Sequence, residues 1–393
     1  VIHMLETRTL LVRADKNPVP GVDNPLPNQI YQNVRVCLEN RVLSRLEPDE
    51  IRLQMHYVGI CGTDLHLTTN NPETGYIRCT SPLEIPEEGR VIGHEGVGQI
   101  IEVGANVKHL KPGMFVALES IIVCHVCEVC KRGKFNQCKH AKLLGLEKDG
   151  LFGTVVDVQA SIAHNITDYI KDERDLMAAA NIEPAGVAYV ACENAALKAG
   201  EAVVIFGAGP IGLLTAMLSK QVFGAAEVHI IEPIEFRRNF AKKWADRVYT
   251  PEEFLSIPPD KIDVVFESSA IVENVTRIFR HISENGRVVL LGRKGIPLEI
   301  TGVDHMITNE IKIIGSRGHL CGAFSHILAL QKAGRIHLED IVTKVVDDLN
   351  DIKDMLEHHE KVENENCKVL IDMQKQMMCM STSSATGGRI RDL

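Results

Sequence analysis

A glycine-rich hexad leaves the second half of this chain little choice of fold. Gly207-Ala208-Gly209-Pro210-Ile211-Gly212 follows the apolar run Val203-Val204-Ile205-Phe206 directly and precedes the helical stretch Leu213 to Val222. In a strand–turn–helix corner, G-x-G-x-x-G provides a tight turn, close backbone approach to a pyrophosphate, and close packing of the helix. The helix N-terminus then offers unpaired N–H groups and a positive dipole end to phosphate. Gly207, Gly209, Pro210, Ile211 and Gly212 are therefore candidate dinucleotide contacts. Glu232 ends the next apolar run, 20 residues beyond Gly212. A carboxylate there accepts hydrogen bonds from adenosine ribose hydroxyls and repels a 2′-phosphate, which predicts NAD over NADP. Arg237 and Arg238 follow closely and pull the other way, and Arg237 is a further candidate contact to the cofactor. An ordinary strand–turn–helix corner with a solvated Glu is the alternative, disfavoured by the surrounding pattern.

From Ala202 to Phe206 onward, apolar runs alternate with helical stretches: Glu227 to Ile231, Asp263 to Phe266, Arg287 to Leu291 and Ile311 to Ile314. Such alternation predicts an α/β fold with a doubly wound parallel sheet. Residues 5 to about 165 read instead as short β segments between Gly and Pro punctuation, a compact mostly-β unit. A chain of 393 residues suits two domains. The expected division is a mostly-β domain over 1–183, a dinucleotide-binding domain over 184–325, a return to the first domain over 326–373, and a flexible tail over 374–393. The formal net charge of -9 repels a phosphate backbone, which argues against a nucleic-acid partner. No run reaches the roughly 18 apolar residues of a membrane span, and no secretion signal is recognised, so no membrane partner and a cytoplasmic location are expected.

Eleven cysteines would suit a disulfide framework, but four of them crowd into residues 124 to 138. Cys124, Cys127, Cys130 and Cys138 have the spacing C-x2-C-x2-C-x7-C, and four thiolates so placed can close a tetrahedral shell around zinc. Such a shell has no open position and is structural. An iron–sulfur cluster is the competing chemistry, because C-x2-C-x2-C also opens the ferredoxin pattern. A second constellation is dispersed: Cys61-Gly62-Thr63-Asp64-Leu65-His66 and Gly93-His94-Glu95 each place zinc-type ligands in Gly-flanked turns. Taken singly, Cys61 reads as a buried thiol and His94 as a satisfied histidine. Their order relative to the four cysteines and the glycine loop favours the metal.

With these motifs in hand, the chain resembles the zinc-containing medium-chain dehydrogenases, closest to the sorbitol (polyol) and threonine dehydrogenase branch. Gly93-His94-Glu95 with Gly98, Gly104 and Val107 match the family signature, and the four cysteines match its structural-zinc set. The resemblance spans about residues 35 to 372. It implies a GroES-like mostly-β catalytic domain plus a Rossmann domain, with the active site between them. It further implies two zinc ions per chain, the catalytic one held by Cys61, His94 and Glu95, with Glu183 of Asn181-Ile182-Glu183-Pro184 binding directly or through water. The link over residues 68 to 90, with Pro72, Pro82 and Pro86, is longer than in sorbitol dehydrogenases.

The implied reaction moves a hydride between a secondary alcohol (polyol, diol, cyclitol or amino alcohol) and NAD. A catalytic zinc acts as a Lewis acid on the carbinol oxygen. The resemblance assigns Thr63 and His66 a proton relay from the hydroxyl toward water; capping of the following helix is the plainer reading for both. A non-catalytic dinucleotide-binding protein of the same fold is the alternative function. Such a protein should have lost the ligands or the relay, and this chain keeps both. Ser316-Arg317-Gly318-His319 is read as a loop near the substrate, with Arg317 and His319 hydrogen-bonding a polar or anionic group; a solvated turn, or contacts to cofactor phosphate and the partner subunit, is an equal alternative. A homodimer or homotetramer is expected.

Overall fold

The computed structural model describes residues 5–256 and 258–378. The glycine hexad sits where a parallel sheet needs it. Six strands run in the order Arg247–Tyr249, Glu227–Ile231, Ala202–Phe206, Val264–Glu267, Arg287–Leu290, Lys312–Gly315, and every adjacent pair is parallel. In chain order this is 3-2-1-4-5-6, the doubly wound dinucleotide-binding arrangement. Its switch point lies between the first and fourth strands, immediately beside the hexad.

The continuous apolar run Ala202–Phe206 follows from burial on both faces. Val203 and Ile205 join a core with Leu213, Leu214 and Met217 of the helix Pro210–Gln221. Val204 and Phe206 join a separate core with Phe254, Ile278 and Phe279. Each fully buried aliphatic of this kind contributes roughly 1.5–3 kcal/mol. A polar residue at either parity would therefore weaken one face of the sheet.

The remainder is mostly β. One sheet runs in the order Ala163–Asn165, Phe115–Leu118, Glu95–Val103, Glu50–Gly59, Lys368–Asp372, Val342–Val346, with Val155–Gln159 also paired to Glu50–Gly59. A second sheet joins Tyr31–Val42, Glu6–Lys16 and Arg90–Val91. The expectation of only short strands is corrected here, since Glu6–Lys16 has 11 residues and Tyr31–Val42 has 12. Their mixed polar composition hides them: the two strands pair along nearly their full length and bury chiefly alternate or clustered positions. The chain does return to the first sheet after the parallel one, through two strands, Val342–Val346 and Lys368–Asp372.

Expectation and structure also differ at the C-terminal end. Residues 373–378 are helical; Gln374 Nε2 donates to Met55 O at 2.8 Å and Gln376 Oε1 accepts from Leu349 N at 2.7 Å. Residues 374–378 are thus fastened to the β unit, and the rest of the expected tail, 379–393, lies outside the described residues. The 68–90 link is likewise anchored. Bridges Gln32↔Tyr76 and Asn70↔Ile77 pin it, Ile77 and Cys79 are buried, and Thr80, Ser81 and Pro82 face the cleft between the two units. Among the described residues no helix is long and apolar enough to cross a membrane.

Candidate active site

The cleft, with a volume of about 670 Å³, brings the two halves of the sequence reading together. Cys61, Thr63, His66, His94, Glu95 and Glu183 line it along with Gly207, Gly209, Pro210, Ile211, Gly212, Glu232 and Arg237.

Cys61 is the N-cap of the short helix Gly62–Thr68, just beyond the strand Glu50–Gly59, and His94 immediately precedes the strand Glu95–Val103. These two strands are antiparallel neighbours, with Gly59 opposite Glu95, so their adjoining ends bring the ligands together. One ligand atom each from Cys61, His94 and Glu95 lies within 4.8 Å of the others. Asp64 supports the group from below. Its Oδ2 accepts from Cys61 N at 2.9 Å, and its Oδ1 stands 3.9 Å from His94 Nδ1. Burial pushes the Asp64 carboxyl up and His94 opposes it. Asp64 therefore caps the helix, a role the sequence reading offered to Thr63 and His66. Thr63 Oγ1 is left facing Cys61 Sγ at 3.8 Å, and His66 sits on the same helix at the cleft, where desolvation lowers its pKa and Glu363 raises it.

The donor set fits a metal cation. His94 Nδ1 is buried with no hydrogen-bond partner among the described residues. Burial, then Asp64, pushes the Cys61 thiol up to about 11, so a thiolate there needs a nearby cation. The buried acids Asp64 and Glu95 lie beside a buried cation, Lys368, whose Nζ contacts Glu95 Oε2 and donates to Ile60 O at 3.1 Å. Desolvation lowers Lys368 to about 8. Neither Asp64 nor Lys368 was identified from sequence. Asp64 lay inside a quoted motif, and a lysine within the apolar run Cys367 to Ile371 was the available signal for the other.

Glu183 does not join the trio within the same distance. It opens the helix Ile182–Asn194, and its Oε1 accepts from Ser120 Oγ at 2.7 Å and pairs with His319 Nδ1 at 3.2 Å. His319 Nε2 accepts from Ser120 N at 3.0 Å. Both imidazole nitrogens are thereby engaged, and the residue is 1% exposed. Burial lowers its pKa, and Glu183 opposes that shift. The expectation that His319 donates to substrate is corrected: it braces Glu183 against the Ser120 backbone.

The four-cysteine group fits a single tetrahedral ion. Ligand atoms of Cys124, Cys127, Cys130 and Cys138 lie within 4.8 Å of one another, with Sγ–Sγ separations of 3.6 Å for Cys124–Cys138 and 4.0 Å for Cys127–Cys138. Zn–S bonds of about 2.3 Å in a tetrahedron give edges of about 3.8 Å. A cluster interposing several irons and sulfides would hold its cysteines farther apart, so the geometry favours zinc over iron–sulfur. Backbone amides of Cys130 and Lys139 hold the Cys127 thiol down to about 6. The lobe also grips the loop that carries His319. Asn136 Oδ1 accepts from Leu320 N at 3.0 Å, and a Cβ on Gly318, at φ +75°, would meet that oxygen at 2.3 Å.

At the dinucleotide loop, a Cβ on Gly212 would lie 2.0 Å from Gly207 O, whereas one on Gly209 would meet only Arg237 Nη1, at 3.9 Å. Close packing at Gly212 and open space at Gly209 are what a pyrophosphate cradle requires. Glu232 is buried and its oxygens accept from Ala208 N at 2.8 Å and Ile234 N at 2.9 Å. Arg237 Nε donates to Asn366 O at 3.2 Å while the residue lines the cleft. Arg238 Nη1 is tied to the carbonyls of Glu232 and Pro233.

Residues 47–168 match the alcohol dehydrogenase GroES-like domain, and residues 210–332 match the zinc-binding dehydrogenase family. The chain is 32% identical over 305 residues to an L-threonine 3-dehydrogenase of Pyrococcus furiosus, covering 75% of this chain and 84% of that one. It is 30% identical over 267 residues to an L-arabinitol 4-dehydrogenase of Aspergillus niger, covering 68% and 63% respectively. Among solved structures, 2R,3R-butanediol dehydrogenase from Bacillus subtilis shares the fold with a TM-score of 0.75 at 23% identity, covering 93% of this chain and 99% of that one.

Proposed function

Because the chain belongs to the zinc-binding dehydrogenases with a GroES-like alcohol dehydrogenase domain, we propose that it oxidises a polyol, diol, cyclitol or amino alcohol at a secondary carbinol, with NAD as acceptor. The observation that carries this reading is the Cys61, His94 and Glu95 group opening into the same cleft as the glycine loop. When bound, zinc supplies a Lewis acid for the carbinol oxygen and the dinucleotide supplies a hydride acceptor.

The chain's own residues do the rest. Cys61, His94 and Glu95 would hold the catalytic metal, and Cys124, Cys127, Cys130 and Cys138 the structural one. Glu183, held off by Ser120 and His319, acts through water in preference to direct ligation. Thr63 Oγ1 would accept the hydroxyl proton as it gives up its own, and His66 at the cleft would pass a proton on by way of the cofactor ribose hydroxyls to water. Lys368 holds Glu95 in place and Asp64 holds the backbone at Cys61, as outer-shell partners do. Glu232 receives the adenosine ribose, and its carboxylate disfavours a 2′-phosphate; the anchoring of Arg238 to backbone removes one cation that could offset it. A panel of polyols, 2,3-diols, amino alcohols and cyclitols with NAD and NADP, read as reduced-cofactor absorbance, tests the proposal. Alcohol-dependent reduction favouring NAD is the expected result. No reduction by the zinc-loaded protein across the panel would overturn it.

A further inference from the structure

Two cations in the cleft have no partner that the dehydrogenase reading uses. Arg293 follows the strand Arg287–Leu290, Arg317 follows Lys312–Gly315, and both line the cavity. Neither guanidinium makes a hydrogen bond or ion pair among the described residues. Desolvation, and behind it Arg293, holds Arg317 below the ordinary arginine range, with only Glu147 and Cys138 opposing. Glu147 is already committed to Lys142 Nζ at 3.2 Å and Leu143 N at 3.1 Å, and Cys138 belongs to the structural metal group.

Strand order places these arginines at the substrate end. The phosphate loop ends the strand Ala202–Phe206, and Glu232 marks the adenosine side on Glu227–Ile231. The nicotinamide half must then lie on the other side of the switch point, over Val264–Glu267, Arg287–Leu290 and Lys312–Gly315. At about 4.8 Å per strand, the ends carrying Arg293 and Arg317 stand about 10 and 14 Å from the phosphate loop. Ile121, Leu144, Leu146 and Ser81 line the same cavity. Arg317 is half-buried and Arg293 exposed at the cleft, and the repulsion between two neighbouring cations is relieved when a ligand brings the counter-charge. Guanidinium forks match planar or tetrahedral oxyanions through paired N–H donors.

We propose that Arg293 and Arg317 form an oxyanion subsite for the far end of the substrate, so that the preferred substrate is a secondary alcohol bearing a carboxylate or a phosphate. This rests on the dehydrogenase reading above and narrows its substrate class. The zinc site engages the carbinol at one end of the cleft, and the arginine pair fixes the anionic group at the other, setting which hydroxyl is presented.

The test measures equilibrium binding of D-glucitol, D-gluconate and D-glucitol 6-phosphate to the zinc-loaded protein–NADH complex, followed by NADH fluorescence. At least one anion should bind about tenfold or more tighter than D-glucitol, and the better of the two separates a carboxylate site from a phosphate site. In Arg317→Gln and in Arg293→Gln the anion-to-glucitol affinity ratio should fall about tenfold or more, with zinc content unchanged. A ratio within twofold of unity in the wild type overturns the proposal. So does a loss confined to NADH affinity, which would assign the pair to the cofactor, or a loss of zinc on Arg317 substitution, which would assign it to the cysteine lobe. NADH binding with oxidation of neutral polyols alone rejects this subsite and leaves the dehydrogenase reading standing; absence of both NADH binding and alcohol oxidation rejects that reading itself.

Discussion

Replacing His319 by alanine separates two accounts of the loop after Lys312–Gly315. In the structure the imidazole accepts from Ser120 N at 3.0 Å and pairs with Glu183 Oε1 at 3.2 Å, at 1% exposure. Its removal leaves a buried amide and one carboxylate oxygen short of a partner. Each such group costs about 1–3 kcal/mol. Glu183 keeps the 2.7 Å bond from Ser120 Oγ, so the lower half of the sum applies, about 3 kcal/mol. The assay is urea unfolding of the zinc-loaded protein, paired with kcat/KM for one neutral and one anionic alcohol. The midpoint should fall with little change in slope. Because the effect passes through Glu183, kcat/KM should drop by about tenfold or more, by the same factor for both alcohols. His319→Gln, which offers one donor and one acceptor, should recover part of both losses. Unchanged stability with a loss confined to polar substrates would refute the reasoning and return His319 to the substrate.

Cys61→Ser or His94→Ala should abolish turnover while NAD still binds, measured by fluorescence titration, because the glycine loop belongs to the other unit; retained turnover in the metal-depleted variant would contradict the catalytic assignment. Glu232→Gln should raise the NADP-to-NAD ratio of kcat/KM by about tenfold or more through lost repulsion, and should weaken NAD as well, since an amide cannot accept from both Ala208 N and Ile234 N. A wild type that already prefers NADP would overturn that reading. Cys127→Ala should release one zinc equivalent and lower turnover indirectly, because the lobe holds the 318–321 loop through Asn136 and Gly133. Metal analysis showing iron in this lobe would refute the zinc assignment.

What could be read from sequence was local. The hexad, the acid 20 residues on, and C-x2-C-x2-C-x7-C carry their geometry in their spacing, because a turn or a small loop brings such residues together whatever surrounds them. The parallel sheet was legible for a related reason: strands buried on both faces are apolar throughout. The pair Glu6–Lys16 and Tyr31–Val42 was not, because solvent on part of their surface admits charges that break up the pattern. The brace on Glu183 was beyond reach, since Ser120, Glu183 and His319 come from three distant segments and meet only when the lobes close on one another. His319 therefore looked like a loop donor free for substrate. Lys368 escaped for the same reason, its partner Glu95 lying 273 positions away. Asp64 was visible as a residue, but whether it or Thr63 caps the helix depends on which way the chain enters from Cys61.

The central claim, that Cys61, His94 and Glu95 hold zinc in the cleft facing the dinucleotide loop, is tested most directly by anomalous scattering at the zinc edge from crystals of the protein. The account predicts two peaks per chain: one enclosed by Cys124, Cys127, Cys130 and Cys138, and one contacting Cys61, His94 and Glu95, with Glu183 near it but separated by a water. A single peak at the cysteine lobe, in crystals grown from protein saturated with zinc, would contradict it.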